Sequence, residues 1–308
     1  MRDQFAKEVT ALAKENTELV LLSGDIGNRM FDNFKEVAPE RFFNCGIAEA
    51  NMISMSAGMA LTGLRPIVYT ITPFITTRCL EQIKIGLAYH NAPVIFVGTG
   101  SGLSYSELGP THHSLEDIAI LRSIPNMRIL APCDKIELKY QLREALNMPG
   151  PTYIRIGKKG EPNLLNEKSN LGIGKGNLLQ KGEDILILGV GPIISEGIKA
   201  SKELKSEGLK VAVASLGSVN PLDSGFLERM INLNFKTWIT LEEHGKIGGL
   251  GSTLLEWLYE NSYLNKINFK RVGVENKFIH QLGNQSYTRS SLGLDSEGLI
   301  KVILEQSL

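Results

Sequence analysis

The most distinctive chemical group of this chain is Glu49, a single carboxylate inside a long uncharged stretch. No other charged residue occurs between Arg41 and Arg65, and residues 46–63 (GIAEANMISMSAGMALTG) are rich in Ala, Gly, Ser and Met. This composition predicts a closely packed, buried helix. A carboxylate there must be neutral, paired or hydrogen-bonded to a specific group. It could also only cap or pair at the helix start, and its position alone leaves both interpretations open.

A second group that could do chemistry lies in the segment 107–127, which presents His112 and His113 close to Glu107. An imidazole beside a polar pocket can move protons near neutral pH. Adjacent histidines rarely face one metal ion and no third ligand has suitable spacing, so we predict no metal site. Ser114 and Asp117 form a near capping box, which predicts a helix that begins at Ser114 and anchors the loop.

The elements that must position these groups alternate regularly in the first half of the chain. Short apolar runs predict strands at residues 19–22, 66–70, 93–99, 127–130 and 152–156, and periodic stretches predict helices at 46–62, 75–89, 114–122 and 135–146. Such alternation is typical of a parallel sheet covered by helices on both faces, with ligands at the carboxyl ends of the strands. We therefore expect Asp25, Phe74 and the loop 100–113 to lie near one site.

The second half repeats this alternation after a change of composition. Residues 161–182 are rich in Gly, Asn and Lys, and we interpret them as a linker. Strands are then predicted at 184–189, 210–215, 238–241 and 268–274, and helices at 193–205, 252–259 and 299–306. The predicted fold class is α/β, with two doubly wound domains at 1–160 and 183–308, of which the second is the smaller.

Bulk composition excludes several classes of function. Lys+Arg and Asp+Glu are 33 each in 308 residues, which gives no electrostatic reason to expect nucleic acid or an anionic membrane as a partner. No apolar run approaches the roughly 18 residues of a membrane span, and the N-terminus lacks the apolar core of a signal peptide. The three cysteines form no CxxC pair or disulfide framework, which favours a reducing cytoplasm.

Four segments together resemble transketolase. GIAEAN (46–51), FITTRCLEQI (74–83) and GPTHHSLEDIAILRSIPNMRILAPCD (109–134) resemble its pyrimidine-binding domain, and TLEEHGKIGGLGS (240–252) resembles the start of its C-terminal domain. The resemblance runs from about residue 3 to 305. It is closest to the C-terminal half of a transketolase that is split into two subunits.

The resemblance implies thiamine diphosphate as cofactor and a role for several residues. Glu49 matches the glutamate that activates the aminopyrimidine ring, with Ile47 close to the cofactor, and Phe74 matches the aromatic wall of that ring. Asp25 matches an aspartate near the cofactor, although it could instead only cap a helix, as Phe74 could be an ordinary core residue. His112 matches the histidine that bonds the substrate's oxygen.

The resemblance also implies what this chain lacks. Thiamine enzymes hold diphosphate through Mg²⁺ (or Ca²⁺) with a Gly-Asp-Gly motif, which does not occur here. A separate N-terminal subunit carrying that motif is therefore expected to bind the metal, in an assembly of two copies of each chain (α2β2). Arg78 and Glu81, spaced three residues apart on the predicted helix 75–89, could form an ion pair and are interpreted as structural or interfacial.

Three positions depart from the transketolase pattern on the substrate side. Leu108 replaces an aspartate that recognises a substrate hydroxyl, and Gly100 replaces a histidine that helps to hold the acceptor's phosphate. Arg155 and Lys158 occupy an RxxR-like phosphate grip whose second arginine is a lysine, which offers a point charge and no fork. A small sugar or sugar phosphate is the expected substrate, with an acceptor different from the usual one.

Other interpretations remain open at this stage. The chain could be the β-type subunit of a 2-oxo-acid decarboxylating dehydrogenase, which would release carbon dioxide from 2-oxo acids. It could be a non-catalytic subunit that regulates an intact transketolase, although the retained Glu49 and His112 argue against this. A dinucleotide-dependent dehydrogenase is disfavoured because GVGP (189–192) lacks the third glycine of the nucleotide fingerprint.

Overall fold

The computed structural model describes residues 1–27, 29–281 and 283–305, and it confirms the α/β class. In chain order the first half contains α1 (Arg2–Glu15), β1 (Leu19–Ser23), α2 (Asp32–Val37), β2 (Phe42–Asn44), α3 (Glu49–Leu61), β3 (Arg65–Ile71), α4 (Thr72–Ile75), α5 (Leu80–Gln82), β4 (Ile95–Thr99), α6 (Asp117–Arg122), β5 (Arg128–Leu130), α7 (Lys135–Leu146) and β6 (Thr152–Ile156). The second half contains β7 (Asn177–Gln180), β8 (Ile185–Gly189), α8 (Ile194–Ser206), β9 (Val211–Ser215), β10 (Ser218–Asn220), α9 (Ser224–Asn232), β11 (Thr237–Gly245), α10 (Leu250–Glu260), β12 (Asn268–Val274), α11 (Gln285–Ser291) and α12 (Ser296–Leu304).

The first sheet has the strand order β10-β5-β6-β4-β3-β1-β2 over the described residues. Strands β1 to β6 pair in parallel, as the alternation of strands and helices predicted. The edge strand β10 comes from the second half of the chain and pairs antiparallel with β5. The sequence did not predict this strand, and it joins the two halves through a shared sheet.

Both faces of the first sheet are buried, because alternate residues of its strands pack into different cores. Val20 and Leu22 of β1 belong to the core that contains Met52 and Ile53 of α3. Leu19 and Leu21 point to the opposite face, where they share a core with residues of α1, α2 and α7. The apolar run 19–22 is thus a strand that is covered on both sides.

The second sheet has the order β12-β11-β8-β9-β7. Four of its strands are parallel, and β7 pairs antiparallel with β9 at the edge. Strand β7 lies inside the segment 161–182 that we predicted to be a linker, so part of that segment is folded into the sheet. None of the helices in the described ranges is both long and apolar enough to span a membrane.

Three helix predictions need correction. The single helix predicted at 75–89 is interrupted at Thr76 (φ −103°, ψ −82°) and continues as a 3₁₀ turn, α5 and a π-helical segment, Ile83–Tyr89. The helix predicted to begin at Ser114 begins at Asp117, because the Ser114 N–H bonds the Gly102 carbonyl oxygen across a β-bridge. The last helix was predicted to end at residue 306 but ends at Leu304. Residue 306 lies outside the described residues.

Candidate functional site

Glu49 is the first residue of α3 and only 3% of it is exposed. The chain enters the helix through Gly46, whose φ of +67° favours glycine, and the positive end of the helix favours a carboxylate at this position. Arg78 Nη1 donates a hydrogen bond of 2.8 Å to Glu49 Oε2. The other carboxylate oxygen of Glu49, Oε1, accepts no hydrogen bond from the residues that the structure describes. This oxygen is therefore available to a ligand.

Arg78 also contacts the second predicted site residue, Phe74. The guanidinium carbon lies 4.2 Å from the centre of the Phe74 ring, a cation–π distance. The interruption of the helix at Thr76 lies between these two residues. Arg78 therefore pairs with Glu49, and the exposed Glu81, its expected partner, is not the carboxylate that it contacts.

His112 also contacts Phe74, with ring centres 5.2 Å apart in an edge-on arrangement. Its Nδ1 lies 2.9 Å from Thr111 Oγ1. Partial burial lowers the pKa of His112, and the neighbouring His113 and Arg78 lower it further, which favours the neutral ring near pH 7. His113 is buried, with Nε2 3.2 Å from the Ser106 carbonyl oxygen, and supports the loop.

Asp25 and Ile47 lie at the same carboxyl-end edge of the sheet. Asp25 follows β1, has φ of +54°, and its carboxylate accepts a 3.0 Å hydrogen bond from Asn44 Nδ2 at the end of β2. Ile47 is 80% exposed just before α3. The structure thus brings Glu49, Phe74 and His112 together, with Asp25 and Ile47 on the adjoining surface, where their roles stay predictions.

The role of Arg155 in phosphate binding stays a prediction, although groups of the protein already bond its guanidinium. It is 3% exposed, its Nε donates 2.7 Å to Asp117 Oδ2, and its Nη2 donates 2.8 Å to the carbonyl oxygens of Ser114 and Glu243. Burial by itself raises the pKa of Asp117, but the ion pair with Arg155 opposes this effect and the pKa lies below its ordinary value. Arg155 thus connects Ser114 and Asp117 of the first half with Glu243 of the second half.

Lys158 is more accessible and stays a candidate for the substrate side. Its Nζ lies 3.3 Å from Glu107 Oε1 and 4.5 Å from the centre of the Tyr105 ring. The Tyr105 ring is itself 6.1 Å from the His112 ring. A series of contacts therefore runs from Lys158 through Tyr105, His112 and Phe74 towards Glu49.

Tyr105 explains the glycine at position 100. Gly100 has φ of +81°, and a Cβ built there would lie 2.1 Å from the Tyr105 ring. The tyrosine ring thus fills the space beside Gly100, and any larger residue would displace it. Leu108 is 52% exposed near this loop and can accept no hydrogen bond from a substrate.

Sequence reasoning missed the role of Arg78 and the presence of Tyr105 in the site. Arg78 carried a usable signal, because no charged residue lies between Arg65 and Arg78, the same isolation that marked Glu49. Tyr105 carried none, since its place depends on the path of the loop. Within residues 1–27, 29–281 and 283–305, no group of three His, Cys, Asp or Glu side chains could hold a metal ion.

Comparisons with known protein families agree with the α/β fold. Residues 1–161 match the family model "Transketolase, pyrimidine binding domain", and residues 174–298 match "Transketolase, C-terminal domain". These two segments cover the first sheet's parallel strands and most of the second half.

Individual relatives match along almost the whole chain. The chain is 33% identical over 307 residues to an apulose-4-phosphate transketolase subunit of Phocaeicola vulgatus, covering 99% of this chain and 96% of that protein. It is 31% identical over 308 residues to a 6-deoxy-6-sulfo-D-fructose transketolase subunit of Clostridium sp. (strain MSTE9), covering 99% and 94%. A solved structure described as a split gene transketolase, inactive beta4 tetramer, is similar with a TM-score of 0.88, 30% identity, and coverage of 99% and 96%.

Proposed function

Because the chain belongs to the transketolase family and is the C-terminal subunit of a split transketolase, we propose that it forms one half of a thiamine diphosphate site. Such enzymes transfer a two-carbon ketol unit from a ketose to an aldehyde. A separate N-terminal subunit, carrying a Gly-Asp-Gly motif, would bind the diphosphate through Mg²⁺ or Ca²⁺ and complete the site. We further propose an α2β2 assembly that is located in the cytoplasm. We also propose that the chain consists of a first domain at 1–160, a linker at 161–182 and a second domain at 183–308. Residues 306–308 lie outside those that the structure describes.

The observation that carries this proposal is the environment of Glu49. One carboxylate oxygen is held by Arg78 and the other has no partner among the described residues, so it is free to bond a ring nitrogen. The Phe74 ring nearby offers an aromatic surface for a flat heterocycle. When bound, thiamine diphosphate would supply the carbanion and the electron sink for cleavage of a carbon–carbon bond.

The chain's own residues then have distinct tasks. Glu49 would hold a proton at Oε1 for the ring nitrogen, while Arg78 fixes its orientation through Oε2. The neutral His112 can donate a hydrogen bond to an oxygen of the substrate or take its proton. Asp25 and Ile47, exposed at the same edge, would contact the cofactor or the N-terminal subunit.

We propose that the substrate is a sugar or sugar phosphate outside the usual pair. Leu108 removes a hydroxyl-recognising carboxylate, and Tyr105 occupies the space beside Gly100. Lys158, held against Tyr105, would attract an anionic end of the substrate through its charge. The relatives named for apulose 4-phosphate and 6-deoxy-6-sulfofructose support such a specialisation within the family.

The test compares Glu49→Gln with Glu81→Gln in the complex purified with its N-terminal subunit. Glu81 is exposed and serves as the matched control. Loss of a group that transfers protons lowers a reaction rate about 10²–10⁴-fold. We therefore expect Glu49→Gln to lower the rate of ketol transfer at least about 100-fold while the complex still assembles. An equally active Glu49→Gln complex would favour the regulatory interpretation. Release of carbon dioxide from 2-oxo acids would favour the decarboxylating one.

A further inference from the structure

The loop that carries His112 (residues 101–115) forms several hydrogen bonds with the second half of the chain. Four hydrogen bonds reach it across the interface: Leu103 N to Glu243 Oε1 (2.5 Å), Gln285 Nε2 to Ser104 Oγ (3.4 Å), Ser106 Oγ to the Gly283 carbonyl oxygen (2.7 Å), and Gly245 N to the Leu115 carbonyl oxygen (2.8 Å). These contacts begin before His112 and end after it. The position of the loop is therefore tied to β11 and to the start of α11.

Glu243 on β11 is the centre of these contacts. It is 4% exposed, and Oε1 accepts hydrogen bonds from Leu103 N and from Gln285 Nε2, the latter at 2.8 Å. Its Oε2 accepts a 2.5 Å hydrogen bond from Arg289 Nε, which balances its charge. A single carboxylate thus joins the loop to two residues of α11.

The loop approaches Glu243 closely only because residue 102 is glycine. Gly102 has φ of +61°, and a Cβ there would lie 2.7 Å from both the carbonyl oxygen and Oε1 of Glu243. The Ser114 N–H bonds the Gly102 carbonyl oxygen at 2.9 Å and closes the base of the loop. Glu243 therefore contacts the base of the loop, where a small displacement of the backbone would move the whole loop.

We propose that Glu243 is a positioning residue that fixes the His112 loop against Phe74, and that shaping this loop is a task of the C-terminal domain. The reactive role of His112 rests on the proposed function. The positioning of the loop by Glu243 does not depend on that function. The neighbouring Glu242 provides the contrast. It is equally buried, but its carboxylate accepts hydrogen bonds from Leu250 N (2.7 Å) and Gly251 N (2.9 Å) at the start of α10.

Hydrogen exchange measured by mass spectrometry tests this proposal on the full chain in the assembly in which it purifies. Glu243→Ala removes a charged hydrogen-bond partner, so amides in residues 101–115 should exchange at least about tenfold faster. Glu242→Ala should accelerate exchange in α10 and leave residues 101–115 unchanged. Glu243→Gln keeps an acceptor for Leu103 N and should lie between Glu243→Ala and the unsubstituted chain.

A milder pair of variants covers the case in which Glu243→Ala does not fold. Gln285→Ala removes one contact to Glu243 and one to Ser104, whereas Gln281 bonds only the Tyr287 hydroxyl among the described residues. Faster loop exchange in Gln285→Ala and not in Gln281→Ala supports the proposal. Unchanged loop exchange in Gln285→Ala, or the same increase in Glu242→Ala as in Glu243→Ala, overturns it.

Kinetics then separate this proposal from the proposed function. In an active complex, Glu243→Ala should lower kcat more than it raises KM, because the displaced His112 acts after binding. Exchange needs no activity, so a complex without ketol transfer but with faster loop exchange would refute the proposed function alone. A loop that stays protected in Glu243→Ala would refute this inference alone.

Discussion

Arg78 Nη1 lies 2.8 Å from Glu49 Oε2, so the buried carboxylate at the start of α3 is held by a cation 29 residues further along the chain. The Arg78 side chain is 45% exposed, whereas that of Glu49 is 3% exposed. The pair therefore has one partner inside the fold and one at its surface. Glu49 is oriented without being enclosed, which leaves its second oxygen for a ligand.

Arg78→Ala should lower the free energy of unfolding by about 1 kcal/mol, because it removes a charged hydrogen bond whose exposed side is partly screened. Urea unfolding of the chain measures this. Lys210→Ala, which breaks the exposed pair with Glu183, is the control and should change the free energy of unfolding very little. A loss in Arg78→Ala no larger than in the control would contradict the stabilising role of this pair.

Arg155→Lys should lower the free energy of unfolding by about 3 kcal/mol, because a lysine cannot bond Asp117 and two carbonyl oxygens together. The same urea titration measures this loss. Unchanged stability together with a raised KM for a phosphorylated acceptor would instead support the phosphate-binding role that the sequence predicted.

Lys158→Met should weaken substrate binding and leave stability nearly unchanged, whereas Arg155→Lys should mainly lower stability. The methionine keeps an apolar stem against Tyr105 and removes only the charge. We expect KM for an anionic acceptor to rise about tenfold, with stability and kcat nearly unchanged. Steady-state kinetics with a charged and an uncharged acceptor provide the measurement, and the uncharged one is the control. Equal effects on both acceptors would show that Lys158 does not bind the anion.

Glu137→Gln should change the pH dependence of stability. Burial raises the pKa of Glu137 to about 7, above its ordinary value, so between about pH 4.5 and 7 the folded chain binds more protons than the unfolded chain. Stability that is present at low pH is therefore lost as the pH rises through 7. Without this group, the loss between pH 5 and 8 should be smaller by up to about 3 kcal/mol.

Urea unfolding at several pH values tests the Glu137 prediction, with the exposed Glu203→Gln as control. The control should keep the slope of the unsubstituted chain. Identical slopes in Glu137→Gln and Glu203→Gln would show that Glu137 ionises normally in the folded chain. Glu242, whose pKa burial also raises to about 7, acts in the same direction and should preserve part of the slope in both variants.

The elements that the sequence predicted best are those with strong local signals. Strand β6 is a short, mainly apolar run flanked by turn residues. Helix α7 is capped by Asp134, whose Oδ1 accepts hydrogen bonds from Ile136 N and Glu137 N. Strands β7 and β10 have three or four residues and no such signal. Their pairing depends on β9 and β5, so only tertiary contacts decide that they are strands.

Residue types at the site were predictable where their isolation was visible, as for Glu49. The surroundings of Arg155 were not predictable from its spacing to Lys158, because three residues along a strand and loop do not determine which groups surround the side chain. Arg155 belongs to a fully buried strand, where Asp117 and the Glu243 carbonyl oxygen already take its donors. Glu243 itself could not be assigned from sequence, since its contact with Leu103 spans 140 residues.

The most direct test of the split-enzyme account is mass spectrometry of what co-purifies with the tagged chain from its native cell. The account predicts a stoichiometric partner that carries a Gly-Asp-Gly motif, and a complex that gains ketol-transfer activity with thiamine diphosphate and Mg²⁺. A chain that purifies alone, or only with an intact transketolase, would contradict the account and leave the regulatory interpretation in its place.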